Sequence, residues 1–211
     1  MSPTLTREDA LRLRECVAAG GVAVFPSDTV YGVCCDPDNH DAARRLYLLK
    51  GRPAARSCAV MFFERSCALD QLDGLTEPER LALEVLLPGP LTLLLANRTG
   101  QFAAACRNDP STLGLRVPRL PDNLTALADV DRPVMQSSAN LSGEPDARSL
   151  QEIPQSLLEG ADLVLDGGEL PGRPSTVVDL RDFDEERRWH VLREGALPRE
   201  SVQQLLAPLA A

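Results

Sequence analysis

The apolar positions of this chain come in short bursts that switch between the 3.6-residue period of a helix and the continuous or alternating pattern of a strand. Thr6-Arg7-Glu8-Asp9 sets a hydroxyl cap ahead of a helical pattern, and Gly20-Gly21 stops it after Ala19. Residues 22–25 then read as a buried strand running into the loop Pro26-Ser27-Asp28-Thr29-Val30-Tyr31-Gly32. Further on, the pattern predicts a helix at 41–49, a strand at 58–63, a helix at 77–87 opened by Thr76 and closed by Pro88-Gly89-Pro90, and a strand at 91–96. Short strands at 113–117 and 134–137 flank a helix near 123–128. A helix at 150–158, strands at 163–165, 176–180 and 190–193, and a last helix around 200–206 complete the chain. Helices alternating with strands early, then strands clustering late, predict an α/β fold: a single domain over residues 5–207, with a twisted mixed parallel/antiparallel sheet flanked by helices. The Gly- and Pro-rich stretch 167–174 reads as a mobile loop inside that domain.

Composition narrows the class. With 211 residues, 44% of them apolar and 25% charged, the chain has enough apolar surface to bury a core and does not read as disordered. A formal net charge of −9 repels nucleic-acid phosphates, so tight direct nucleic-acid binding is not expected. The N-terminus lacks the basic and apolar regions of a signal peptide, and the best apolar run, 91–96, is strand-sized. A soluble, cytoplasmic protein with no membrane partner is expected. The six cysteines show no CxxC pair and sit mostly in apolar segments, which reads as buried reduced thiols.

Candidate chemistry lies in four polar segments at strand edges, where α/β sheets build ligand sites. Ser27 to Gly32 offers hydroxyls and a carboxylate for a small polar substrate, or an ordinary capped turn. The second, Lys50-Gly51-Arg52-Pro53-Ala54-Ala55-Arg56, holds the only lysine among 22 basic residues, placed at a helix end. An ammonium is a compact charge with three rotatable donors, which a guanidinium does not reproduce. Helix-end stabilisation, or a lysine left over from codon bias, accounts for the segment equally well. The third, Gln136-Ser137-Ser138-Ala139-Asn140-Leu141-Ser142-Gly143, offers hydroxyls, amides and backbone N–H groups for phosphate, or a polar turn. The fourth joins Pro174-Ser175-Thr176-Val177-Val178-Asp179 to Leu192-Arg193-Glu194-Gly195. No P-loop, dinucleotide fingerprint, HExxH or nucleophile elbow is present, and there are only two histidines. Positioning and charge stabilisation are the devices left.

Taken in order, these segments resemble the YrdC-like (TsaC-type) family of threonylcarbamoyl-AMP synthases in its short single-domain form. The paired Lys-x-Arg and Ser-x-Asn motifs stand as Lys50-Gly51-Arg52 and Ser138-Ala139-Asn140, the PT[DE]TVYGLG stretch as Pro26 to Val33, and TVGVRxP as Thr112 to Pro118. The STVVDL and LRxG segments are Ser175 to Leu180 and Leu192 to Gly195. The resemblance implies a YrdC-like fold and a nucleotidyltransferase that makes L-threonylcarbamoyladenylate and pyrophosphate from L-threonine, bicarbonate and ATP. The product would pass to a downstream tRNA threonylcarbamoyl transferase complex.

By the same resemblance, Thr29, Arg116 and Ser175 hold threonine, while Arg52, Arg56, Thr112, Ser138, Asn140 and Arg193 contact ATP. Lys50, Arg52, Ser138 and Asn140 form the catalytic set, and Mg2+ is expected to arrive with ATP. Departures at Arg56, Met61, Gln136, Ser137, Asp146 and Glu194 bear on specificity. Alternative readings are an RNA-binding paralogue without synthase activity and a carbamoyl-adenylate enzyme with a different acceptor.

Overall fold

The computed structural model describes residues 3–51, 57–107 and 109–209. Helix α1 (Arg7–Ala18) starts at the predicted cap, where the Thr6 side chain accepts from Asp9 N and the Asp9 side chain caps Thr6 N in return. It buries Ala10, Leu13 and Val17, one stripe at helical spacing. The chain continues through β1 (Ala23–Phe25), β2 (Gly32–Cys35), α2 (His40–Leu49), β3 (Ala59–Met61), α3 (Arg65–Gln71), α4 (Glu77–Leu86), β4 (Leu91–Ala96), α5 (Ala103–Cys106) and β5 (Thr112–Arg116). After a 3₁₀ segment (Asp122–Asp129) come β6 (Val134–Ser138), a 3₁₀ turn (Leu150–Glu152), α6 (Gln155–Gly160), β7 (Leu163–Val164), β8 (Thr176–Asp179), α7 (Phe183–Glu186), β9 (His190–Arg193) and α8 (Arg199–Leu206).

Among the described residues the nine strands form one sheet in the order β7-β1-β2-β6-β3-β5-β4-β8-β9. The β1–β7, β3–β5 and β4–β8 pairs are parallel and the rest antiparallel, so the mixed sheet predicted from the pattern is present. Strand alternation sends Leu91, Leu93 and Leu95 of β4 and Leu113 and Leu115 of β5 into one apolar cluster with α4, α5 and α8. A second cluster, built on α1, α6 and the 122–129 segment, covers the other face only around β1, β2, β6 and the end of β3. On the rest of that face the paired positions are Gln136, Ala59 and Gly114, then Arg116, and across β8 and β9 Val177 and Arg193. This uncovered half-face is the floor of the site.

Several expectations change. Residues 32–35 form β2 where the loop reading stopped, because Gly32 pairs with both Phe25 and Ser138 and turns the segment into a central strand. Predicted helix 150–158 is two pieces split at Pro154, whose missing N–H and fixed φ break the run. The 123–128 helix is 3₁₀ rather than α, and the short helices α3, α5 and α7 fall outside those the pattern predicts. The stretch 167–174 is tethered rather than free: Gly167 N donates to the Tyr31 hydroxyl, Leu170 N to Arg148 O and Gly172 N to Thr29 O.

Candidate active site

The floor carries a polar cavity of about 230 Å³, walled by Arg116, Thr92, Gln136, Ser138, Ser175 and Arg193 among others. Arg116 ends β5 and is 4% exposed. Its Nη2 donates to Asp28 Oδ1 at 2.8 Å and to Thr29 Oγ1 at 3.2 Å, while its buried Nε has no hydrogen-bond partner. Asp28 is held in turn by Arg119 N on Oδ2, at 3.0 Å. The surrounding turn is fixed by Ser27, whose hydroxyl donates to Val30 O at 2.7 Å and lies 3.1 Å from Thr29 Oγ1.

Burial governs the electrostatics of this pair. Desolvation raises the Asp28 carboxyl above its ordinary value against the pull of Arg116, and desolvation also lowers the Arg116 guanidinium, with Arg193 pushing the same way. Both partners are displaced towards neutrality, so the pair does not fully offset the loss of water around two charges. An anion in the cavity beside the Arg116 guanidinium would restore what burial removed. A carboxylate suits a guanidinium in shape and charge.

Across the floor, Arg193 on β9 donates through Nη2 to Ser175 O at 2.8 Å, and Ser175 Oγ lies 2.8 Å from Thr92 Oγ1. Gly195 lets this arm approach: a Cβ there would stand 2.2 Å from Pro174 O. The third predicted group also assembles. Lys50 caps α2 and is 1% exposed, with Nζ donating to Ser138 O, to Asn140 O at 2.7 Å and to Asn140 Oδ1 at 3.2 Å. Ser138 Oγ donates to the same Asn140 Oδ1 at 2.6 Å. The lysine therefore ties down the 138–140 turn from behind, and Ser138 rather than Lys50 forms the cavity wall.

Thr29, Arg116, Ser175, Arg193, Ser138, Asn140 and Lys50 are thus brought around one cavity or its immediate supports. Thr112 lies off the cavity wall, roughly 13 Å along β5 from Arg116 but level with Ser138 across β3, and its hydroxyl accepts from Arg181 Nη1 at 3.3 Å. Arg52 and Arg56 lie outside the described residues. Sequence reasoning left out Thr92 and passed over Asp28 as a partner of Arg116. Thr92 had a signal, since it is the one polar side chain within the strand Leu91-Thr92-Leu93-Leu94-Leu95-Ala96. A larger groove of about 560 Å³, lined by Phe63, Leu69, Val117 and Leu120, adjoins the site through Arg119 and holds none of the predicted site residues.

Residues 15–195 match the Sua5/YciO/YrdC family, described as telomere recombination. The chain belongs to this family. A Sua5/YciO/YrdC relative from Chromohalobacter salexigens, named threonylcarbamoyl-AMP synthase, is 34% identical over 187 residues, covering 86% of this chain and 100% of that protein. One of the same name from Pyrococcus abyssi is 28% identical over 198 residues, covering 92% of this chain and 56% of that protein. The crystal structure of P. abyssi Sua5 complexed with L-threonine superposes with a TM-score of 0.82 at 26% identity, over 96% of this chain and 58% of that one. This chain therefore spans little more than half the length of the Pyrococcus protein.

Proposed function

We propose that the chain is a threonylcarbamoyl-AMP synthase. The observation that carries the reading is the buried Arg116 guanidinium on the wall of a cavity whose other wall includes Ser138, in the turn held by Lys50. Membership in a family whose relatives bear that name, one of them with L-threonine bound, supports it. In this account the threonine carboxylate pairs with Arg116, and its hydroxyl meets those of Thr29, Thr92 and Ser175. The ATP phosphates lie at Ser138 and Arg193, with Asn140 and Lys50 holding the turn and with Arg52, Arg56 and Thr112 as further contacts of the nucleotide.

The threonine nitrogen, once deprotonated, forms a C–N bond to the carbon of bicarbonate, and hydroxide leaves with a proton as water. A carbamate oxygen then attacks the α-phosphorus of ATP, and the P–O bond to pyrophosphate breaks. The protein's contribution is placement of three reactants and neutralisation of their charges. Magnesium fits as an ion carried in by the nucleotide: among the described residues no cluster of three acidic, histidine or cysteine ligands exists, and Asp146 is the carboxylate on the cavity wall. One carboxylate together with phosphate oxygens is an ordinary magnesium donor set, and the ion would neutralise phosphate charge there.

The adenylate is an activated carbamoyl donor, and a separate transferase complex would place it on tRNA. Free cysteines and the lack of any described helix long and apolar enough to cross a membrane accord with a cytoplasmic setting. Pyrophosphate release should require threonine, bicarbonate and ATP together. Release without an amino acid, or equal rates with serine, would contradict the assignment, since a buried methyl contributes about 1–3 kcal/mol of discrimination.

A further inference from the structure

We infer that the Gln136 side chain binds the carboxylate supplied by bicarbonate and holds it between the amino acid and the nucleotide; this rests on the synthase reading above. Gln136 is 8% exposed and forms part of the cavity wall. Its amide makes no hydrogen bond to any described residue, whereas the hydroxyls of its neighbours Ser138, Ser175 and Thr92 are engaged. The polar atoms of the amide are open to the cavity rather than sealed, which leaves its N–H groups and its oxygen available to a ligand there.

The register says which part of the ligand that is. On β6 Gln136 pairs with Cys34 on one side and Ala59 on the other, and Ala59 pairs with Gly114, so towards β5 the row beside the amide carries a single methyl group. Arg116 lies two residues further along β5 from Gly114, and Ser138 two residues further along β6 from Gln136 on the same face. The amide therefore stands midway between the guanidinium that would take the amino-acid carboxylate and the turn that would take phosphate. The bond joining the two substrates is formed in that interval. A primary amide matches the group made there: Nε2–H donates to a carboxylate oxygen, and Oε1 accepts from the new carbamate N–H. The threonine hydroxyl has Thr29, Thr92 and Ser175 around Arg116, and the adenine end lies beyond the phosphates, so neither falls at this row.

The test is initial-rate kinetics of product formation in carbon dioxide-depleted buffer, with bicarbonate, threonine and ATP each varied in turn. Gln136→Leu removes both polar groups at similar volume, and Gln136→Glu keeps the shape but removes the donor and adds a negative charge. The expected result is a bicarbonate KM raised roughly ten- to a hundredfold in both variants, with threonine and ATP KM values held within about twofold. A bicarbonate KM unchanged in either folded variant overturns the inference, as does a change carried instead by threonine or ATP. Thermal melting of each variant identifies a protein that does not fold, and the other variant then decides. Failure of the synthase reading itself would show differently, as a wild-type protein that makes no product.

Discussion

Arg116 and Lys50 are both buried cations, and their surroundings give them different work. Arg116 lines the cavity with Arg193, whereas Lys50 spends its donors on the Ser138 and Asn140 carbonyl groups. Arg116→Gln should therefore weaken threonine binding by about ten- to a hundredfold, the loss of a charge-assisted pair, while ATP affinity moves little. Calorimetric titration of each ligand separates the two. Lys50→Met keeps the aliphatic stem and removes the ammonium, leaving buried carbonyl oxygens unpaired. It should lower stability by about 1.5–3 kcal/mol as well as abolish synthesis. Thermal melting and product formation on the same preparation check this, and a variant with unchanged melting would mean that the lysine does not hold the turn. The resemblance places Lys50 in the catalytic set and pairs its motif with Ser138-Ala139-Asn140, but the direction of its side chain depends on where β6 ends.

At the scale of elements, helices with strong caps were legible and α8 was legible from its apolar spacing without one, whereas the short uncapped α3, α5 and α7 were not. Thr6 and Thr76 make reciprocal capping boxes, and both helices appear where predicted. Helix α3 begins at Glu64 with no side-chain cap bond and has a short run of mixed residues, so the pattern carried no start signal. Thr92 and Gln136 became site residues only through strand register, which depends on partners far along the chain. The join of α2, β1 and the α6–β7 turn rests on Asp162, which accepts from Val22 N at 2.8 Å and from Arg45 at 2.6 and 3.0 Å. Arg45 is the first cause lowering the Asp162 carboxyl below its ordinary 3.8. A depressed carboxyl stabilises the folded state above the unfolded value and loses that effect as pH falls through the lower folded one. With both side chains over two-fifths exposed, Asp162→Asn should cost only about 1 kcal/mol at neutral pH after screening. The difference in melting temperature from wild type should be about 2–4 °C at pH 7 and should vanish as the pH falls below 3.8.

For the whole molecule, the arrangement that matters is one sheet covered fully on one face and partly on the other. The uncovered half is where a chain with a formal charge of −9 gathers Arg116, Arg193 and the turn held by Lys50. That local reversal of sign suits small anionic substrates and not a long polyanion. The central claim is that this face joins three small molecules into one adenylate. Mass spectrometry of a reaction containing ATP, L-threonine and ¹³C-bicarbonate tests it most directly. The account predicts a threonine–carbamoyl–AMP adduct carrying a single labelled carbon and absent whenever any one reactant is omitted. An adduct without the label, or none from active, folded protein with all three reactants present, would contradict it.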